Sequence, residues 1–383
     1  MKITGIKSEW IRVPYSRPFV PTWFPGQTDD AQSILLVRVQ TDEGIEGHAS
    51  TECPFGLAPA YMEMIKGQIE PSFINEDPFM VERLVAKLRA TSRLSCRPWL
   101  VENALWDIIG KASNQPVYRI WGAYTNKIMA YAAWGELRSN EQRAQDALRL
   151  VDEGFKAVKI RFSSETMKED IALVECLRAA VGDKLMIGVD ANQGTVKDRG
   201  VGTNTPRWSY ERAYATAKEL YQLGVAWLEE PLYHYDYYGL TKLCNSVEIP
   251  IAGGEIMRDA SELAMLIDRD CYDIIMANQT LATSMTDIRK IAGMADFRGK
   301  TFNLHGWVPG TGVAACVHLA CSLPNSNILE YPYDYPILMP DEFQGIVKEP
   351  LLVKDGYLTA PEKPGWGVEL DEEKIKKHTV LSK

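Results

Sequence analysis

From about residue 128 the chain alternates between short apolar runs and amphipathic segments, and it does so eight times. The runs are IMAYAAWG, KAVKIRF, KLMIGVDAN, VAWLEEP, IPIAGGE, YDIIMAN, TFNLHGW and NILEYP. Short apolar runs bounded by turn signals read as buried strands, and the segments between them read as helices. One helix starts at Ser139, whose spacing to Gln142 fits a capping box, and stops at Gly154. Another spans Ser209 to Gly224 with apolar residues at helical spacing. Eight strand–helix units in series are the arithmetic of a (β/α)8 barrel. A doubly wound open sheet is the alternative, but no G-x-G-x-x-G follows a first strand.

Residues 1–127 read differently. ILLVRVQTDEGIEGHAS is a hairpin pattern with a Glu-Gly turn, preceded by a Pro-rich loop from Pro14 to Gln27. Helical segments follow around 56–70, 77–92 and 99–114. Strands followed by helices predict an α+β unit distinct from the barrel at 128–339. The tail, 340–383, holds the short strand candidates KEPLLV and GYLTA and either rejoins the first unit or closes the barrel. It is grouped with the first unit.

Three of the apolar runs end in an acid: Asp190 in IGVDAN, Glu229 in AWLEEP and Glu255 in IPIAGGE. Taken singly, each acid reads as a helix N-cap. Repeated at equivalent positions of a barrel, they converge at the end where barrel chemistry sits. Three oxygen donors there make a site for a hard divalent cation, and Mg²⁺ is the ion expected.

Of the 383 residues, 46% are hydrophobic and the net charge is −9. An acidic surface argues against nucleic acid or an anionic membrane as partner. The N-terminus reads as a strand, with no apolar stretch of a signal peptide, and no run approaches the roughly 18 apolar residues of a membrane helix. The seven cysteines contain no C-x-x-C and are expected to be reduced, in a cytoplasmic protein.

These segments, taken in order, resemble the enolase superfamily and, within it, the mandelate racemase subgroup. ENALWDIIGKASNQPVYRIWG resembles the helix that leads from capping domain to barrel, and GFKAVKIRF the second-strand K-x-K segment. GVDAN, WLEEPL and GGE resemble the three ligand segments, NLHGW the seventh-strand histidine, ILEYP the eighth-strand glutamate and PGWGVELDE the closing segment. The resemblance implies an α+β capping domain on a modified (β/α)7β barrel. It implies Mg²⁺ held by Asp190, Glu229 and Glu255, a small carboxylate substrate and removal of the proton beside that carboxylate through an enediolate. A homo-oligomer is expected.

Within that frame Lys159 is placed near the substrate carboxylate, and Glu230 supports the metal acids. The second lysine of K-x-K is Arg161 here. Its guanidinium stays protonated, so it reads as a clamp or electrostatic support and not as a base. That leaves His305 as the leading acid/base. The sixth-strand aspartate that orients such a histidine is replaced by Asn278, which fixes the ring but does not offset its charge. Asp273 and Asp287 lie nearby but not at the strand end. Glu330 matches the acid that contacts substrate or donates a proton. Asn192 reads equally as a substrate or metal-oxygen contact and as a turn residue. His48 is a wild card, and His234, in the loop after the fourth strand, is a candidate substrate contact. Tyr233, Tyr235 and Tyr237 either face a substrate or pack on the cap. Loops 14–30 and 50–57 offer Arg17, Trp23, Gln27, Asp29 and Glu52 for hydroxyl recognition, with Arg17 a partner for a distal carboxylate.

With one competent base, the expected reaction is dehydration of an acid sugar to a 2-keto-3-deoxy acid. Cycloisomerisation or epimerisation is the alternative, and a catalytically impaired carboxylate binder is a third.

Overall fold

In the computed structural model, which describes residues 1–24, 26–53, 56–93, 97–195 and 206–383, the chain forms two sheets. The first is antiparallel and contains β1 (Ile3–Phe19), β2 (Asp29–Thr41) and β3 (Glu46–Glu52). The second contains eight consecutive parallel strands: β4 (Lys127–Ala133), β5 (Ala157–Arg161), β6 (Met186–Asp190), β7 (Trp227–Glu229), β8 (Ile251–Gly253), β9 (Ile274–Ala277), β10 (Thr301–Leu304) and β11 (Ile328–Pro332). β11 pairs with β4, from Ile328↔Met129 to Pro332↔Ala133, so the sheet closes into a barrel. All eight apolar runs are the strands expected of them.

Local chemistry explains the punctuation. Ser139 and Gln142 form the capping box on the helix Asn140–Asp152, and Gly154 ends it with φ +86°. Thr166 and Glu169 do the same for Met167–Val181. The strand β5 (AVKIR) is buried along its whole length although it carries two cations. Barrel strands are covered on both faces, so such a residue must find its partners inside. The barrel core includes Trp227 and Tyr131, with ring centres 5.2 Å apart. Gly188 admits that indole, since a Cβ there would meet it at 2.2 Å.

The tail serves both sheets. β12 (Tyr357–Thr359) pairs antiparallel with the start of β4, and β13 (Thr379–Ser382) pairs with β1. Of the two tail candidates, GYLTA contains a strand and KEPLLV contains none. The antiparallel sheet is thereby covered on two sides. Leu35, Val37 and Val39 pack with the helices Val81–Ser92 and Leu100–Ala112, while Ile11, Ile34 and Leu36 pack with Ile346, Val347, Leu370 and Ile375 of the tail.

The stretch from Pro14 is not wholly a loop, because β1 continues to Phe19 and pairs Phe19 with Asp29. β13 leaves β1 after Ile11, so the missing N–H groups of Pro14 and Pro18 face no strand on that edge. Among the described residues Cys176, Cys244, Cys271, Cys316 and Cys321 carry free thiols; Cys96 lies outside the described residues. No described helix is long and apolar enough to cross a membrane.

Candidate active site

The strand register lines up three of the expected residues. Arg161 pairs with Asp190 and Asp190 with Glu229, so the last residues of β5, β6 and β7 sit at one level. Lys159 lies two residues lower, opposite Gly188. Glu255 follows β8, His305 follows β10 and Glu330 sits in β11. Lys159, Asp190 and Glu229 are each 0% exposed.

Buried charges need partners, and here they find one another. Lys159 Nζ is 2.7 Å from Glu330, 2.8 Å from Glu229 and 3.7 Å from Asp190. Arg161 pairs closely with Asp190, donates through Nε to Trp134 O at 3.0 Å and through Nη1 to Asn192 Oδ1 at 3.2 Å. Its guanidinium lies beside two indoles that touch each other, 4.8 Å from the centre of Trp23 and 5.5 Å from that of Trp307. Those contacts commit most of its donors, so Arg161 pins Asp190 in place.

Five carboxyls (Asp190, Glu229, Glu230, Glu255, Glu330) thus face two permanent cations. Burial, with the repulsion of Asp190, Glu255 and Glu330 and against the pull of Lys159, pushes Glu229 up to about 8. Burial and Asp190 push Glu255 up to about 7, and burial and Glu255 raise Glu230 well above the carboxylate range. Glu330 goes the other way: burial opposes ionisation, but Lys159, His305 and Arg161 hold it at about 2. A carboxyl so firmly ionised is a poor proton donor.

The surplus of carboxylates over cations is what a divalent ion would neutralise. Buried Glu255 Oε2 and Glu230 Oε1 have no hydrogen-bond partner among the described residues. The donor set therefore fits Mg²⁺, an all-oxygen ion. Among the described residues no three such side chains converge on one point, and Glu229 and Asp190 are paired with Lys159 and Arg161.

Opposite stands His305, buried, with Nε2 3.2 Å from Glu255 and 3.5 Å from Glu330. Burial lowers its pKa while Glu330 pulls the other way. Asn278 Nδ2 lies 2.9 Å from His305 Nδ1. Gly306 lets β10 and β11 close in: a Cβ there would meet Glu330 O at 1.9 Å, and its N–H donates to Glu330 Oε2 at 2.9 Å. Asn192 sits past the end of β6 at φ +48°, where its backbone N–H and amide donate to Asp190. It is a turn residue and a contact of the site together.

Other expected residues lie elsewhere. Arg17 is paired with Glu136 at 2.8 Å and has a carboxylate already. His234 is one layer out, its Nδ1 against Gly194 O, within an aromatic cluster with Tyr233 and Tyr235. His48 contacts Asp107 of the helix Leu100–Ala112. Asp273 accepts from Ile251 N–H, and Asp287 pairs with Arg89. Trp307, Thr280 and Thr51 were not singled out by sequence reasoning. Only Thr280 carried a local signal, two residues after Asn278 in the pattern of an Asx turn.

Comparison with known proteins bears on this arrangement directly. Residues 8–122 match the mandelate racemase / muconate lactonizing enzyme N-terminal domain, and residues 142–374 match the enolase C-terminal domain-like family. The chain belongs to the enolase superfamily, mandelate racemase subgroup. Among the superfamily relatives it resembles is the arabinonate dehydratase of Saccharolobus solfataricus, 27% identical over 89% of each chain. The D-galactarolactone cycloisomerase of Agrobacterium fabrum is 24% identical over 98% of each. In fold it matches a racemase from Streptomyces coelicolor with bound magnesium, at TM-score 0.86 and 22% identity, covering 99% of this chain and 100% of that one.

Proposed function

We propose that this superfamily member dehydrates an acid sugar to a 2-keto-3-deoxy acid, with His305 as its one proton-transfer residue. The observation that carries the reading is the asymmetry of the site. On one side stands a titratable imidazole; on the other, where a second base would be needed for epimerisation, stands Arg161, committed to Asp190 and packed against Trp23 and Trp307. Dehydration needs only one such group, which takes the proton from the carbon beside the carboxylate and protonates the departing β-hydroxyl on the same face. The relatives that support the substrate class are the arabinonate dehydratase and the galactarolactone cycloisomerase.

Asp190, Glu229 and Glu255 would hold Mg²⁺. When bound there, the ion supplies positive charge to the substrate carboxylate as its neighbouring carbon loses a proton. Arg161 orients Asp190, Lys159 bridges Glu229 and Glu330, and Asn278 orients His305. Trp23 brings the cap over the site, and 1–127 with 340–383 serve as that cap over a catalytic 128–339. Because Arg17 is already neutralised by Glu136, it offers no free clamp for a second carboxylate.

Ring opening or closure of an acid-sugar lactone also needs one proton-transfer group and is the second reading. Incubation with Mg²⁺ and a panel of acid sugars, with semicarbazone trapping, decides between them. A trapped 2-keto-3-deoxy acid is expected. A panel that yields only an epimer or a ring-opened isomer overturns the dehydratase reading.

A further inference from the structure

Two residues below the strand-end acids lies a second row. The register sets Lys159 of β5 opposite Gly188 of β6 and Gly188 opposite Trp227 of β7, beneath Arg161, Asp190 and Glu229. Side chains two apart on a strand share a face, so Trp227 points into the barrel as Glu229 does. Gly188 puts no side chain between its neighbours, and the Trp227 indole fills that space. A Cβ on Gly188 would meet its Cζ2 at 2.2 Å and its Cε2 at 2.3 Å. The indole also packs on the fully buried ring of Tyr131, with 5.2 Å between centres.

From this seat the indole N–H donates to Glu229 Oε2 at 3.2 Å, while Lys159 Nζ donates to Oε1 at 2.8 Å. The two donors differ in what else they serve. Lys159 also lies 2.7 Å from Glu330 and 3.7 Å from Asp190, so its hold on Glu229 is shared. The indole has a single N–H, which goes to Glu229, and a buried ring lodged over Gly188 has no room to turn it elsewhere. Without the indole, Glu229 would be held by Lys159 alone, on the side that it shares with Glu330. A carboxylate oxygen has two lone pairs, so each donor leaves one on its oxygen for a cation.

We propose that Trp227 is a positioning residue of the metal site: through its N–H, and in the space that Gly188 leaves, it fixes the Glu229 carboxylate for the divalent ion. The inference rests on the reading that Asp190, Glu229 and Glu255 hold Mg²⁺, and it is independent of which reaction follows. Carboxylates that ligate a metal are themselves held by hydrogen bonds, and losing such an outer bond costs roughly tenfold to a hundredfold in metal affinity. Trp227→Phe keeps an aromatic ring in the core and removes the donor. Gly188→Ala keeps the donor and displaces the ring that carries it.

Calorimetric titration of the substrate-free protein with Mg²⁺ tests the proposal. Trp227→Phe should weaken binding roughly tenfold, the lower end of that range because the donor is one neutral N–H. Gly188→Ala should weaken it too, although no ligand has changed, and it decides the matter by itself should Trp227→Phe not fold. The ten tryptophans give indole N–H signals in ¹H–¹⁵N spectra. The signal missing from Trp227→Phe should shift in the wild type as Mg²⁺ is added, and saturate where the calorimetry does. A merely structural role for the ring would lower the melting temperature of Trp227→Phe in EDTA and leave its Mg²⁺ affinity alone. Affinity that is unchanged or tighter in either variant, or a wild-type signal that Mg²⁺ does not move, overturns the proposal. Glu229→Gln separates it from the reading beneath it. Mg²⁺ binding that survives Glu229→Gln sinks the assignment of Glu229 as a ligand, whereas binding lost in Glu229→Gln and kept in Trp227→Phe sinks the role of Trp227 alone.

Discussion

Stripping divalent ions and raising the pH should destabilise this protein, and Mg²⁺ should reverse the loss. Burial and mutual repulsion raise the carboxyl of Glu229 from 4.5 to about 8 and that of Glu255 from 4.5 to about 7. The folded chain therefore holds protons that the unfolded chain has shed. The stability linked to those protons is complete below about pH 4.5 and is lost as pH rises through about 7 and about 8. At roughly 1.4 kcal/mol per unit, shifts of about 2.5 and about 3.5 units correspond to roughly 3 and roughly 5 kcal/mol. Glu330, held at about 2, works in the opposite sense, but its contribution is already complete above its unfolded value of 4.5 and adds no slope in this window.

The two carboxyls together amount to roughly 8 kcal/mol, an upper figure because the two sites share neighbours. For 383 residues, unfolding entropy near roughly 2 cal/mol/K per residue gives about 0.8 kcal/mol per degree, so the melting temperature in EDTA should fall by up to about 10 °C between about pH 5 and about pH 8.5. Calorimetric scans across that range, in EDTA and in Mg²⁺, read the effect. The ion binds ionised carboxylates, so its stabilisation should grow with pH. A melting temperature in EDTA that stays flat over that range would refute the reasoning, as would Mg²⁺ stabilising Glu229→Gln as much as the wild type.

His305→Asn should abolish both turnover and exchange of the Cα proton while leaving the Mg²⁺-induced rise in melting temperature intact; calorimetry beside the exchange assay checks this. Arg161→Met removes the nearer of Asp190's two cations, leaving Lys159 at 3.7 Å, and should cost roughly 3 kcal/mol in urea unfolding with EDTA, a loss that Mg²⁺ reduces. Glu102→Ala strands Met285 N–H, Thr286 N–H, the Thr286 hydroxyl and the Trp106 indole N–H, for roughly 3–5 kcal/mol by urea unfolding.

The features legible in the sequence are those whose causes are local. Eight parallel strands show as apolar runs because each is buried on both faces, and the Ser139–Gln142 box is written within four residues. The strand-end acids were legible because a parallel register carries equivalent positions of successive units to one level. What escaped depends on partners far apart in the chain. Arg17 reads as a free cation until the fold brings Glu136 to it, 119 residues on, and Thr51 finds Thr280 across 229 residues. Neither pair has a periodicity or a spacing to betray it. Pro14 and Pro18, which made the start of the 14–27 stretch look like loop, mislead for a related reason. Their missing N–H groups forbid a strand only where a neighbour needs them, and β13 stops short of that edge.

The two departures from the subgroup pattern, Arg161 and Asn278, make sense as one change. A lysine at position 161 would be a second proton carrier opposite His305; the guanidinium there carries none and is fastened to Asp190 and Trp134. An aspartate at 278 would offset the charge of a protonated His305, whereas the amide orients the ring without offsetting it. On the dehydratase reading, the first substitution removes a second base and the second weakens the one that remains. Restoring either alone should free exchange from elimination in part. Restoring both, in Arg161→Lys/Asn278→Asp, should free it most, with the epimer of the substrate accumulating beside the keto-deoxy acid. Chromatographic separation of the two products checks this. A double variant that eliminates water with the wild-type ratio of exchange to elimination would show that these two positions do not govern removal of the Cα proton.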